Sequence, residues 1–341
     1  MIKNILCFKN FNYKLYFSLI FLSLFPALYQ TIRTMIISIS TDSSVFNVIG
    51  QLEWFDLINE TLLAFLHIPL YAIFNRVIKN DDANFPKVTF KVITVGFILY
   101  SLFSIVVYII SRSLIGFMNV NESDIDLVTR YLNLETIAFV IGFIIASVNI
   151  VIVSKELYKV FIVFSVVKTL LLIILDFNLV SRFNAFGVAY SNMIINTLMG
   201  ILGIVILIKM GLLKLSGFEK DDKKIFISYF KIGIFSALQI LVDNIVYALM
   251  VVKMVNLVAE QGNYWVANNF IWNWLLMPVL ALNEVIRTNC KEQKNTQVGN
   301  YFRIIFIITV LGAIVVLFSN IFFQYVERLE NYNDIYFIVL K

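Results

Sequence analysis

Residues Lys91–Arg112, KVITVGFILYSLFSIVVYIISR, decide the class of this chain. Between the two bases, Val92–Ser111 gives 20 residues without a charge. At ~1.5 Å per residue an α-helix of that length covers ~30 Å, the thickness of the hydrocarbon core of a bilayer. Backbone polar groups in lipid need internal partners, which leaves helices or closed barrels. The stretch lacks the alternating polarity of a barrel strand. It reads as a transmembrane helix.

Runs of the same kind recur at Ile141–Val153, around Ile201–Ile208 and at Ile304–Phe318. The chain is 60% hydrophobic and 14% charged, against ~45–50% and ~25% in a soluble domain. The expected fold is therefore all-α, a polytopic transmembrane bundle of about nine spans. The first six are placed at Tyr13–Ser40, Val45–Asn75, Val88–Ser111, Asp126–Ser154, Leu157–Asp176 and Ala185–Met210. The last three are placed at Lys224–Val258, Tyr264–Arg287 and Tyr301–Tyr325. The first run is too long for a signal peptide and has no small-residue cleavage site, so it is expected to be retained.

Lys and Arg in the short loops set the orientation. One side collects 19 of them, from Lys3, Lys9 and Lys14 through the loops around Lys79, Lys155 and Lys220 to Arg287, Lys291, Lys294 and Arg303. The other side has four, Arg112, Arg130, Arg182 and Arg328. The sides alternate at every span, which places the N-terminus in the cytoplasm and the protein in the cell membrane. The net charge of +5 is thus a topology signal and implies no nucleic-acid partner. Cys7 and Cys290 are two isolated cysteines on the cytoplasmic side, with no disulfide or metal pattern.

The longest polar loop, Gly211–Lys224, reads as a hinge between a six-helix lobe (1–210) and a second, partial lobe (224–341), with 211–223 as cytoplasmic linker. The second lobe has three spans and the start of a fourth at Asn333–Lys341. A weak internal repeat has an offset of 209 residues, relating Pro69 to Pro278 and the Asn59/Glu60 pair to Asn268/Asn269. Six spans separate the two starts, so the halves run parallel. Several transporter folds repeat in this way, with substrate between the halves.

Three segments resemble the multidrug and toxic compound extrusion (MATE) family of efflux transporters. Arg112–Val120 with Asp126–Leu132 is similar to its external loop and entry to the fourth helix. Asp176 through Phe186-Gly187-Val188-Ala189 resembles its turn between the fifth and sixth helices. Gly262–Asn269, followed by Pro278, resembles the start and kink of its eighth. The resemblance implies twelve helices in two lobes and export of amphipathic, often cationic compounds in exchange for H⁺ or Na⁺. The last three helices have no counterpart here, and Arg33 and Thr34 occupy the stretch of the first helix where many members carry an Asp. Asp176 matches an acidic position near the end of the fifth helix, while Leu172 replaces the family's Asn one turn earlier.

Ionisable residues within spans are functional candidates by default. Glu53, Asp56 and Glu60 share one face of the second span, about 12 to 22 Å below its outer end. Three carboxylates this close resist full ionisation, which suits H⁺ exchange, and their charge suits Na⁺ or a cationic substrate. Asp243 is the acid deep in the seventh span, and Asp176 joins these as an ion-coupling candidate through the resemblance. Trp265, Asn268, Asn269 and Trp272 place aromatics and amides on one face of the eighth span, suited to stacking a flat cation. Asn192 in the sixth completes the substrate-binding set, with Asn196 one turn on serving as helix packing. His67 reads as a packing residue. Lys168 is a midplane partner for an acid such as Glu60 or Asp243, Glu135 is either cavity-lining or interfacial, and Arg33 snorkels to the outer interface. Glu284 and Arg287 read as surface groups, and Pro26, Pro69 and Pro278 as kinks.

No Walker loop, nucleophile elbow or zinc pattern occurs, so neither an enzyme nor a resident cofactor is expected. The expected function is export of an amphipathic, cationic small molecule by H⁺ or Na⁺ antiport. The alternatives are a lipid-linked oligosaccharide flippase of the same superfamily and a truncated, inactive membrane protein.

Overall fold

The computed structural model describes residues 13–41, 44–219, 222–289 and 295–340. Cys7, Cys290, Lys3, Lys9, Lys220, Lys291 and Lys294 lie outside them, as do the side chains of Lys14, Glu284 and Arg287. The described elements are all helical. α1 is Tyr13–Ser40; a short helix, Ser44–Gly50, leads into α2, Leu52–Asn80. Then come α3 (Phe85–Phe117), α4 (Ile125–Ser154), α5 (Tyr158–Phe183) and α6 (Ala185–Lys209). α7 (Asp222–Tyr247) continues through a π-helical turn at Ala248–Val252 to Leu257. α8 is Gln261–Phe270, a π turn at Ile271–Leu275, and Met277–Asn289. α9 (Asn295–Ile321) ends in a third π turn, Phe322–Val326, and α10 is Tyr332–Leu340.

Among the described residues, eight helices are long and apolar enough to cross a membrane, and the two parts of α8, bent by 50°, make a ninth. Large apolar side chains face outward: Ile109 is 72% exposed, and Phe235 and Phe302 are each 70% exposed. Such a surface would aggregate in water and is at ease in lipid. The chain is a multi-pass membrane protein.

Contacts divide it into two units, Ser44–Gly262 and 1–43 with 263–341. This division does not fall at the 211–223 linker, because α7 packs along the length of α2. Nor is the linker a loose hinge. Its Lys214 N–H donates to Pro86 O at 3.1 Å. At its end, Asp222 pairs with the buried Lys91 at 2.8 Å, and Glu219 stands 3.6 Å from the same ammonium.

In the unit 44–262, Leu66, Leu70 and Phe74 of α2 meet Phe85 and Val92 of α3, Phe143 of α4 and Tyr229 of α7. With no hydrophobic drive between helices in lipid, close approach depends on small residues. A Cβ on Gly233 would lie 2.4 Å from Phe65 O, so α7 touches the α2 backbone there. That carbonyl is the one Pro69 leaves without its usual helical donor. One residue on, the buried Tyr229 hydroxyl donates to Leu66 O at 2.7 Å. α7 thus supplies polar and steric support where the proline weakens α2, and α2 stays one helix from Leu52 to Asn80. Gly187 plays a similar part between α5 and α6, with a would-be Cβ 2.4 Å from Leu179 O.

In the other unit, Tyr16 of α1 packs with Leu282 and Val285 of α8 and Ile304 and Ile308 of α9. Phe270 sits 5.2 and 5.0 Å from the rings of Phe322 and Phe323, and Trp274 Nε1–H donates to Thr31 Oγ1 at 3.0 Å. Pro278 cannot donate to Trp274 O. The ladder before it slips to the π pattern, Leu276 N–H bonding Ile271 O at 2.8 Å, and α8 bends.

Two expectations change. α5 runs to Phe183, so Asp176 lies two turns inside the helix and is fully buried. The turn after α5 is made by Asn184 at φ 51°, a left-handed conformation that asparagine tolerates. Arg33 does not snorkel to the interface; it is buried, its guanidinium 4.7 Å from the Tyr29 ring centroid.

Candidate functional site

The polar chemistry of the unit 44–262 gathers around the first half of α2. Glu53 occupies the first turn of Leu52–Asn80, where the free N–H groups and helix dipole favour an acid. Asp56, Asn59 and Glu60 follow at helical spacing. Asp56 lies within electrostatic reach of Glu53, Glu60 and, from α4, Glu135. Asp56 itself is exposed on α2.

Each neighbouring helix contributes a polar group. Glu135 is fully buried on α4, and the Asn192 amide of α6 donates to both its oxygens, at 3.0 and 3.1 Å. The Tyr100 hydroxyl of α3 donates to Asn59 Oδ1 and stands within electrostatic reach of Asp56. On α7, Asn244 Nδ2 reaches Leu57 O at 2.9 Å, Thr61 Oγ1 at 3.1 Å and Glu60 Oε2 at 3.2 Å. Tyr247 OH approaches Glu53 Oε1 at 3.4 Å. The result is four carboxylates from two helices, met by amides and phenols from three others, α3, α6 and α7. Beside them, Asn59, Tyr100, Ser104 and Thr136 line a cavity of about 20 Å³, room for about one water.

Next to this group, the segment leading into α2 is closed by amides. Gln51 Nε2 donates to Asn256 Oδ1 at 2.9 Å, and Asn256 Nδ2 returns a bond to Gln51 Oε1 at 3.2 Å and another to Met118 O at 2.9 Å. Trp54 Nε1–H joins Gln51 at 2.9 Å, and Gln261 Nε2 bonds Gly50 O at 2.8 Å. Buried amides paired in this way fix one register between the starts of α2 and α8 and the ends of α3 and α7, with Gln261 Oε1 the one oxygen of the group left without a partner among the described residues.

Of the sequence-derived candidates, Glu53, Asp56, Glu60 and Asn192 come together, and Glu135 is fully buried against Asn192. Asp243 does not join them. It is exposed on α7, and the neighbouring Asn244 is the residue that reaches α2. Asp176 is buried on α5 and held in an interaction of its own. Lys168 is half-buried on the same helix and likewise engaged, while Glu60 is met by Asn244. His67 stacks on Phe143 at 4.7 Å and lies 3.4 Å from Ser147 Oγ, a packing role. Asn196 Nδ2 donates to Ala138 O at 2.9 Å, which is helix packing as expected.

The α8 set belongs to the other unit and does not share one environment. Trp265 is 6% exposed and Trp272 is 52% exposed. Asn268 is engaged in an interaction, and Asn269 Nδ2 has no hydrogen-bond partner among the described residues. The π turn at Ile271–Leu275 alters the register just where regular helical spacing would put Trp272 beside Trp265. Sequence reading missed Tyr100, Asn244 and Tyr247. Their signal, a polar tip on an otherwise apolar helix, is common in membrane spans and becomes specific only once α2 is known to be the neighbour.

The sequence matches no family profile and no curated protein. Solved structures do match its fold. An inward-facing multidrug resistance MATE family transporter of the MOP superfamily aligns with TM-score 0.70 and 16% identity, over 92% of this chain and 74% of that one. A variant of the Vibrio cholerae MATE transporter VcmN aligns with TM-score 0.69 and 14% identity, over 96% and 77%. A MOP superfamily transporter from Pyrococcus furiosus, described as having a binding pocket of reverse polarity, aligns with TM-score 0.63 and 15% identity, over 99% and 79%. The chain has the MATE transporter fold.

Proposed function

We propose that this protein is a secondary active exporter of amphipathic cations, driven by H⁺ or Na⁺ antiport. The observation that carries the reading is the carboxylate group Asp56, Glu53, Glu60 and Glu135, set in a fold shared with multidrug transporters. Carboxylates in a low-dielectric space bind a cation strongly and compete for it with protons. Substrate and coupling ion would then occupy the same oxygens in turn, which is the thermodynamic requirement of exchange. Asn192 orients Glu135, Tyr100 fixes the neighbouring Asn59, and the phenyl rings nearby, such as Phe55 stacked on Phe139 at 5.6 Å, supply a surface for a flat apolar body. α2 carries the acids and is held by α7 through Asn244 and Tyr247, so charging or neutralising them biases the α2–α7 contact that an access change must break.

A flippase of anionic lipid-linked sugars calls for a basic cavity. The acidic polarity of this group argues against it, and the reversed polarity described for the Pyrococcus neighbour makes pocket charge the deciding property. The test is efflux of a cationic dye from proteoliposomes under an imposed pH or Na⁺ gradient. The parent protein is expected to show gradient-dependent flux that Asp56→Asn and Glu135→Gln abolish. Folded parent protein without such flux would refute the exporter.

A further inference from the structure

Between α2, α3 and α7, the unit 44–262 carries an open apolar crevice of about 480 Å³. It follows α2 from Trp54 to Phe65, which at ~1.5 Å per residue is ~16 Å of helix. One leaflet of a ~30 Å hydrocarbon core is ~15 Å deep. The lining comes from the first half of α2, the last turns of α3 (Leu114, Phe117) and the second half of α7 (Ala237 to Leu249). By the charge bias of the loops these are the outer halves of all three helices, so the crevice spans the outer leaflet.

Its outer end carries a cation. Phe117 lines the crevice, and Lys253 Nζ lies 3.9 Å from the Phe117 ring centroid. Lys253 stands one turn beyond Leu249, ~6 Å further out along α7, at the level where lipid phosphates begin. It is absent from the loop-charge tally, and among the described residues it pairs with no carboxylate. An apolar slot one leaflet long, topped by an aromatic-held ammonium, has the outline of a lipid.

We propose that this crevice binds one phospholipid of the outer leaflet, with an acyl chain between α2, α3 and α7 and the phosphate on Lys253. The chain would lie against Trp54, Leu57 and Thr61, the side of α2 that also meets Asn244, and would stiffen the α2–α7 pair. The proposal rests on the membrane topology and not on transport, so a failed efflux assay leaves it standing.

Trp54 reports on the site because it lines the crevice and is 3% exposed, beyond the reach of bulk lipid. The probe is phosphatidylglycerol brominated at mid-chain, titrated into detergent-solubilised full-length protein carrying Trp265→Phe, Trp272→Phe and Trp274→Phe. Saturable quenching of Trp54 is expected, relieved by Ala248→Phe, which fills the crevice; Ala237→Phe repeats the test from another wall. Lys253→Gln should raise the half-saturating lipid concentration about five-fold. Trp54 that stays bright, or quenching that neither filling variant relieves, overturns the lipid site. An unchanged half-saturation in Lys253→Gln overturns the phosphate contact.

Discussion

α2 and α8 each carry a proline in the middle of an apolar helix, at Pro69 and Pro278, and the two helices respond differently. α8 slips into a π turn and bends by 50°. α2 continues without a break, with Gly233 of α7 packed against the freed carbonyl of Phe65 and the Tyr229 hydroxyl donating to Leu66 O beside it. In lipid no water satisfies a freed carbonyl, so a proline's consequence is set by what the neighbouring helix offers. The helix that stays continuous also bears three of the four carboxylates. Holding α2 against α7 keeps Glu53 and Glu60 beside Tyr247 and Asn244, whereas the bent helix carries aromatics and amides in dissimilar surroundings.

The comparison can be broken most directly at the acids. Asp56→Asn removes the charge at the centre of the group and is expected to weaken cation binding by about 10- to 100-fold, equivalent to ~1.5–3 kcal/mol for a hydrogen bond to a charged group; equilibrium dialysis of a labelled lipophilic cation measures it. Gly233→Ala places a Cβ against Phe65 O and should cost about 1–3 kcal/mol by overpacking, read as a lower melting temperature in detergent. A melting temperature equal to the parent's would show that α7 does not hold α2 as described. Tyr229→Phe removes the hydroxyl's bond to Leu66 O, which keeps its helical donor, at a cost of about 1 kcal/mol. Hydrogen exchange should also quicken in α2 around Pro69, while α8 is unchanged.

The bent helix offers a subtler test. Pro278→Ala restores a donor for Trp274 O and should straighten α8, lengthening the separation of spin labels at positions 264 and 283 by about 2–3 Å. An unchanged distance would mean that packing, and not the proline, sets the bend. The smallest effect concerns the same unit as α8. Glu327 follows the last π turn and is buried, and burial pushes its carboxyl from 4.5 up to about 8. The folded protein thus keeps this proton up to pH 8 that the unfolded chain releases near 4.5, so its contribution to stability falls as pH rises through that window and is flat above it. Glu327→Gln should remove this slope and melt a few degrees higher than the parent at pH 8, as a thermal scan across pH would show.

Much of the fold could be read from the sequence because charge-free runs and alternating loop charge both report on crossing a membrane. α1 matches its expected bounds of Tyr13–Ser40, and α6 differs from its own by one residue. Rotation of each helix about its axis could not be read. In a membrane span the lipid-facing and protein-facing sides are both apolar, so the sequence of α7 does not announce that Asn244 and Tyr247 turn toward α2 while Asp243 turns away. Glu53, Asp56 and Glu60 were legible because charge is costly at that depth. Glu135 needed its neighbour Asn192 before its role could be told from an interfacial one. The spacing of Trp265 and Trp272 misled because a π turn cannot be seen in a hydropathy pattern.

The central claim is that the α2 carboxylates form the cation site. The most direct measurement is the affinity for a lipophilic cation as a function of pH, in the parent protein and in Asp56→Asn. Competition between protons and cation predicts affinity that falls steadily as pH is lowered in the parent, with a weaker and flatter profile in the variant. Equal affinity and equal pH dependence in the two proteins would contradict the account.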